Sequence, residues 1–135
     1  MNQRIYLDHN ATTPLRAEAR AAMLAAMDVV GNPSSVHFEG RGAKAIVERA
    51  RSQISQAFGV GAHDIVFTSS ATEAAALALK DRGFHAGDVE HDAVAAWVRP
   101  DLAVIGGRIA VIDAATTALQ LVNSETGIVQ DVPQG

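Results

Sequence analysis

The feature that most constrains this chain is a β-branched run, Asp64-Ile65-Val66-Phe67-Thr68, that passes with no linker into Ser69-Ser70-Ala71-Thr72-Glu73 and the helical stretch Ala74 to Lys80. A strand delivered straight into a helix start is the unit from which α/β domains are wound. The 135 residues give room for one such domain. Composition then removes whole classes of function. With no cysteine, the chain has no disulfide, thiolate metal site or thiol nucleophile. A net charge of −4 argues against nucleic acid or an anionic membrane as an electrostatic partner. No apolar stretch approaches the roughly 20 residues that span a bilayer, and Met1-Asn2-Gln3-Arg4 carries no apolar signal core.

Along the chain, Arg4-Ile5-Tyr6-Leu7 reads as a short strand that stops at the turn cluster Asp8-His9-Asn10. Apolar spacing from Leu15 to Val30 predicts a helix that Gly31-Asn32-Pro33 ends. A second helix is expected from His37 to Phe58, with Ala43, Ile46, Val47, Ala50 and Ile54 on its apolar face. Gly59 and Gly61 stop it. Asp81 to Asp88 reads as a loop, and a short helix is predicted from Glu90 to Trp97. Leu102 to Ile105 and Ile109 to Ile112 read as a hairpin around Gly106-Gly107, and Ala118 to Val122 as a last strand closed by Asn123-Ser124-Glu125-Thr126-Gly127.

Three places could carry chemistry. Ser70 to Glu73 has capping-box spacing, which either simply satisfies a helix start or presents free amides, with the Thr72 hydroxyl, to a phosphate. His91, in Glu90-His91-Asp92, is open to three readings: a ring that stacks on an aromatic ligand or shuttles protons, a metal ligand with His85, Glu90 and Asp92, or a polar helix start. No second spaced histidine pair supports the metal, so none is expected. Asp8-His9-Asn10 and Asn123 to Gly127 are polar clusters at strand ends, suited equally to ligand loops and to turn chemistry.

Taken in order, Tyr6-Leu7-Asp8-His9-Asn10-Ala11-Thr12-Thr13-Pro14, Gly31-Asn32-Pro33-Ser34-Ser35 with His37 and Gly40, Ile65 to Glu73, Glu90-His91 and Asn123 to Gln130 resemble the N-terminal part of a cysteine desulfurase. That family belongs to the class V aminotransferase-like enzymes, which use pyridoxal 5′-phosphate (PLP). The resemblance implies an α/β fold: part of the large domain of a type I, aspartate aminotransferase-like, PLP-dependent transferase, with an incomplete sheet flanked by helices. Residues 1–135 are then expected to be the N-terminal part of a PLP-binding domain, truncated and with internal deletions. By resemblance Ala71 and Thr72 hold the cofactor phosphate, and His91 stacks on the pyridine ring and assists proton transfer. Ser124 stands where the family has the asparagine that contacts the ring hydroxyl.

The departures are as specific as the matches. The family's Gly before Ala-Thr-Glu is Ser70, and the polar positions after it are Ala74, Ala75 and Ala76. Asp81 to Asp88 offers no apolar run for the strand the family has there, and Asp113 to Thr117 is too short for its helix. The resemblance places the Schiff-base lysine, in a Ser-x-His-Lys motif, and the aspartate facing the pyridinium past residue 135. The only lysines here are Lys44 and Lys80. The implied function is a cysteine desulfurase-like segment, inactive alone. Intact relatives move sulfur from L-cysteine, giving L-alanine and an enzyme persulfide for iron–sulfur cluster assembly. The alternatives are a non-catalytic module that pairs with a full-length relative, or another class V aminotransferase or lyase activity. A cytoplasmic homodimer, without nucleic-acid or membrane partners, is the expected setting.

Overall fold

The computed structural model describes residues 4–9 and 11–132, so Asn10 of the first polar cluster lies outside the described residues. The chain forms two compact units, Met1–Val66 and Phe67–Gly135.

The first unit is helical. Helix α1 spans Ala17–Met27 and α2 spans Phe38–Phe58, inside the expected limits. His37 caps α2 by accepting the Gly40 N–H on its ring at 3.3 Å, and Gly59, at φ 67°, supplies the left-handed residue that ends the helix. Gly40 must be a glycine for another reason: a Cβ there would stand 2.3 Å from the Ser35 carbonyl oxygen, so the 32–35 turn closes directly on the helix backbone.

Three expected strands are absent, the first two of them at residues 4–7 and 64–68. Residues 4–8 have no regular structure; instead the Tyr6 hydroxyl reaches the carbonyls of Asp8 and Thr12, and the Asp8 carboxylate accepts the Ala11 N–H. The run 64–68 is not a strand either. Ala62–Asp64 form a 3-10 turn, and residues 65–68 join no ladder among the described residues. β-branched side chains favour an extended backbone, and Ile65 has one at φ −95°, ψ 124°, but a strand also requires a neighbour to accept its amides.

The second unit carries all the sheet structure among the described residues. Helix α3 (Ala71–Leu79) is followed by β1 (His85–Gly87), α4 (Asp92–Ala95), β2 (Arg99–Leu102), β3 (Val104–Ile105) and β4 (Arg108–Ile109). Strand β1 pairs in parallel with β2, and β3 with β4 antiparallel. Strand β1 corrects the reading of 81–88 as a strandless loop. His-Ala-Gly has poor strand propensity, yet smallness is what the place demands: Ala86 is completely buried, and a Cβ on Gly87 would meet Val104 and Ile109 at 2.9 Å. The hairpin falls at Gly106-Gly107, whose φ values of 57° and 80° suit a type I′ turn, although its strands are shorter than expected. Helix α4 is likewise shorter than the expected 90–97. Ala118 to Val122 is no strand: only single bridges form around it, His85 with Thr117 and Val122 with Val129. Ala114–Thr116, one 3-10 turn, is the helical structure between the hairpin and Asn123.

The buried apolar side chains of this unit are Ala86, Leu102, Ile109 and Ala118, joined by the polar residues Glu90, Asn123 and Gln130. Gln130 accepts the Ile109 N–H and donates to the Gly107 carbonyl, tying the hairpin to the 122–130 turn.

Candidate functional site

All four residues singled out by resemblance lie in the second unit. Ser70 caps α3, its hydroxyl oxygen accepting the Glu73 N–H at 3.2 Å. The return bond of the box comes from one residue earlier than the expected spacing: the Ser69 N–H and hydroxyl both donate to the Glu73 carboxylate, at 2.6 and 2.7 Å. The Ser69 hydroxyl, and then its backbone N–H, hold the Glu73 carboxyl below its ordinary value. The acid of the first turn is thus bound to Ser69 and not to the amides at the tip. The N–H groups of Ala71 and Thr72 and the Thr72 hydroxyl have no partner among the described residues. Three donors at the positive end of a nine-residue helix are the chemistry a phosphate requires.

His91 caps α4. Its Nδ1 accepts the Ala93 N–H at 3.1 Å. An imidazole nitrogen that accepts carries no proton, so this bond selects the neutral tautomer with hydrogen on Nε2. Helices α3 and α4 pack against each other, and a groove of about 360 Å³ beside them is lined by Ala74, Ala75 and Ala78 of α3, Glu90, Val94 and Gln120.

Ser124 lies in the turn after Asn123. Its hydroxyl donates to the Glu125 carboxylate at 3.2 Å, and its N–H lies 3.4 Å from the Gln120 side-chain oxygen. Asn123, only 1% exposed, organises this turn. Its side-chain oxygen accepts the N–H groups of Glu125 and Thr126 and the Thr126 hydroxyl. Its amide donates to the Val89 carbonyl at 3.0 Å. Next to that bond, Gln120 donates to the buried Glu90 carboxylate at 2.8 Å. Two cross-links therefore hold the Ser124 turn against the segment that leads into His91. No hydrogen bond joins Thr72 to either residue.

Sequence reasoning missed Gln120 and the structural task of Asn123. The available signal was a lone polar residue in the apolar run Ala118-Leu119-Gln120-Leu121-Val122. His85 does not join His91 in a metal site: its Nδ1 lies 2.8 Å from Asp101 on β2, and no group of three His, Asp or Glu among the described residues could hold a metal ion. No helix among them is long and apolar enough to cross a membrane.

Comparison with known proteins locates these features. Residues 5–99 match the family model described as Aminotransferase class-V. A cysteine desulfurase IscS of Dictyoglomus turgidum is 41% identical over 104 residues, covering 70% of this chain and 26% of that protein. Human selenocysteine lyase is 33% identical, covering 98% of this chain and 40% of that protein. Among solved structures, a NifS-like protein from Rickettsia africae superposes with a TM-score of 0.78 at 28% identity, covering 95% of this chain and 42% of that one. The chain thus spans between about a quarter and two fifths of the length of these relatives.

Proposed function

The chain belongs to the class-V aminotransferase family, and from that premise we propose that it is a cysteine desulfurase-like segment whose role is to hold the phosphate and one face of the pyridoxal 5′-phosphate used by this family. The observation that carries the reading is the start of α3, where the Ala71 and Thr72 amides and the Thr72 hydroxyl are free to donate, within the stretch that matches the family. The residues present fit the phosphate end of the cofactor. When bound, the cofactor supplies an electron sink for bonds at the substrate's α-carbon.

The chain's own residues do the following. Ala71 and Thr72 bind the phosphate and so set the position of the ring. His91 offers its face for stacking and keeps a proton at Nε2, because Nδ1 is occupied by the Ala93 N–H. Ser124 places a hydroxyl, shorter in reach than the family's asparagine, beside the His91 segment, and Asn123 holds that placement. Lys80 is at the far end of α3 from Thr72, about 12 Å along a helix of this rise, and its ammonium lies over the Trp97 ring.

The substrate we assign is L-cysteine, with sulfur passed to a cysteine thiolate that this chain lacks. The anchoring lysine and the thiolate would come from elsewhere, so this segment alone does not turn over. The reading of residues 1–135 as an N-terminal part with internal deletions is supported by the alignment to human selenocysteine lyase, which runs 179 positions, longer than the chain itself. The second reading, a module that pairs with a full-length relative, is favoured by apolar side chains left open to solvent, among them Val36, Val30 and Ile112, each more than 80% exposed.

Calorimetric titration of the chain with PLP tests the assignment, with pyridoxal, which lacks the phosphate, as comparator. Binding of PLP that is lost with pyridoxal and weakened roughly tenfold in Thr72→Val, the loss of one charge-assisted hydrogen bond, is the expected result. Equal affinity for the two compounds, or an unchanged Thr72→Val, overturns it.

A further inference from the structure

Residues 67–135 contain four basic side chains, Lys80, Arg82, Arg99 and Arg108, against nine acidic ones. Arg108 is paired with Asp131. The other three gather at one place, where the turn leaving α3 meets the entry to β2. Arg82 and Arg99 both line an open pocket of about 540 Å³ with Asp81, Phe84 and Trp97. Lys80 stands beside it, its ammonium 5.5 Å from the centroid of the Trp97 ring. Neither guanidinium has an ion-pair or hydrogen-bond partner among the described residues, and Asp81, though it lines the same pocket, makes no ion pair with any of the three.

Three cations that form no ion pair are therefore gathered in an otherwise acidic unit, against the single carboxylate of Asp81. An anion shared between them would offset the excess positive charge at this place. The backbone holds the arrangement: Asp81 is the one non-glycine residue among those described with positive φ, 59°, and Gly83 follows at 73°. A left-handed conformation at an aspartate is a local cost, and here it sets the turn that carries Arg82. The Arg99 N–H donates to the Phe84 carbonyl at 2.8 Å, which brings the second arginine's strand to the same turn. Trp97, whose ring Lys80 approaches, also lines the pocket.

We propose that this pocket binds a phosphate group, as free phosphate or a small phosphate monoester. Two guanidinium forks and an ammonium present more donors and more charge than a carboxylate, with one charge and two oxygens, can answer. A phosphate brings three terminal oxygens and close to two charges. The site goes beyond the cofactor reading above and does not depend on it, since Thr72 and Lys80 are at opposite ends of α3.

Trp97 is the single tryptophan of the chain, so its intrinsic fluorescence reports on this pocket directly. The chain is titrated with inorganic phosphate and with O-phosphoserine, at ionic strength held constant with sodium chloride, and in parallel with acetate. A saturable change with either phosphate compound, absent with acetate, is expected; the tighter of the two identifies free ion or ester as the occupant. Arg82→Gln with Arg99→Gln weakens binding at least tenfold, and Arg82→Lys with Arg99→Lys, which keeps the charge and loses the forks, weakens it several-fold. Thr72→Val leaves the titration unchanged. A signal that acetate reproduces, the lack of any saturable change, full binding in the glutamine variant, or loss of binding in Thr72→Val overturns the proposal. Should the glutamine pair unfold by circular dichroism, the lysine pair decides alone: unchanged affinity there overturns it.

Discussion

Helices α3 and α4 start in the same way and end up chemically opposite. Each begins with a side chain that accepts an amide of its own first turn: Ser70 takes the Glu73 N–H, and His91 takes the Ala93 N–H. At α3 the cap is a bystander. It consumes one donor and leaves the two amides ahead of it, with the Thr72 hydroxyl, facing outward. At α4 the cap is the residue assigned to chemistry, and capping spends one of its two nitrogens. One start therefore advertises donors, and the other fixes a tautomer. A cap satisfies a helix; which atoms it leaves over decides what the helix start can do.

That contrast can be broken at several points. The largest effect is expected at Asn123, which supports the α4 side from a distance. Asn123→Ala removes four hydrogen bonds from a buried position and strands the Val89 carbonyl, so a loss of about 2–4 kcal/mol is expected in urea unfolding, with the Ser124 turn released. Ser70→Ala comes next: loss of the α3 cap is worth about 1 kcal/mol, and PLP affinity falls with it, because the free amides are held in place by the turn they begin. At His91 two substitutions separate the roles. His91→Asn keeps a capping oxygen and should leave stability within about 0.5 kcal/mol while abolishing the stacking signature in the spectrum of bound PLP. His91→Ala should lose both.

The smallest effect is a pH dependence at α3. The Glu73 carboxyl lies below its ordinary value of 4.5 in the folded chain because Ser69 donates to it twice. A depressed carboxyl stabilises the fold above its unfolded value, and that contribution is lost as pH falls through the folded value. Helicity at the start of α3 should hold down to about pH 4.5 and decline below it. Glu73→Gln should remove that step, read by amide NMR at Ala71 and Thr72.

Much of this was legible locally. The limits of α1 and α2, the Ser70 cap, the paired glycines of the hairpin and the turn after Asn123 are each written within a few neighbouring residues. Strands were not, since a strand is decided by its neighbour. Ile65 to Thr68 has the side chains of a strand and no partner, while His85-Ala86-Gly87 has the wrong side chains and a place only small residues fit. Thr72 and His91 stood out locally as candidates, each with a plain capping reading beside the chemical one, whereas the roles proposed for Ala71 and Ser124 came only through the order of motifs along the chain. The bonds that bring His91 and Ser124 together, Asn123 to Val89 and Gln120 to Glu90, cross more than two dozen positions and leave no local pattern to read.

The buried apolar residues described above are small ones for the most part, Ala43, Ala86 and Ala118 among them. Little hydrocarbon is then newly wetted when this chain unfolds, and the heat-capacity increment and denaturant slope, which scale with that area, are correspondingly low. A broad, shallow melt is the expected outcome for the isolated chain, and a partner that covered Val30, Val36 or Ile112 would be read in calorimetry as a steeper transition.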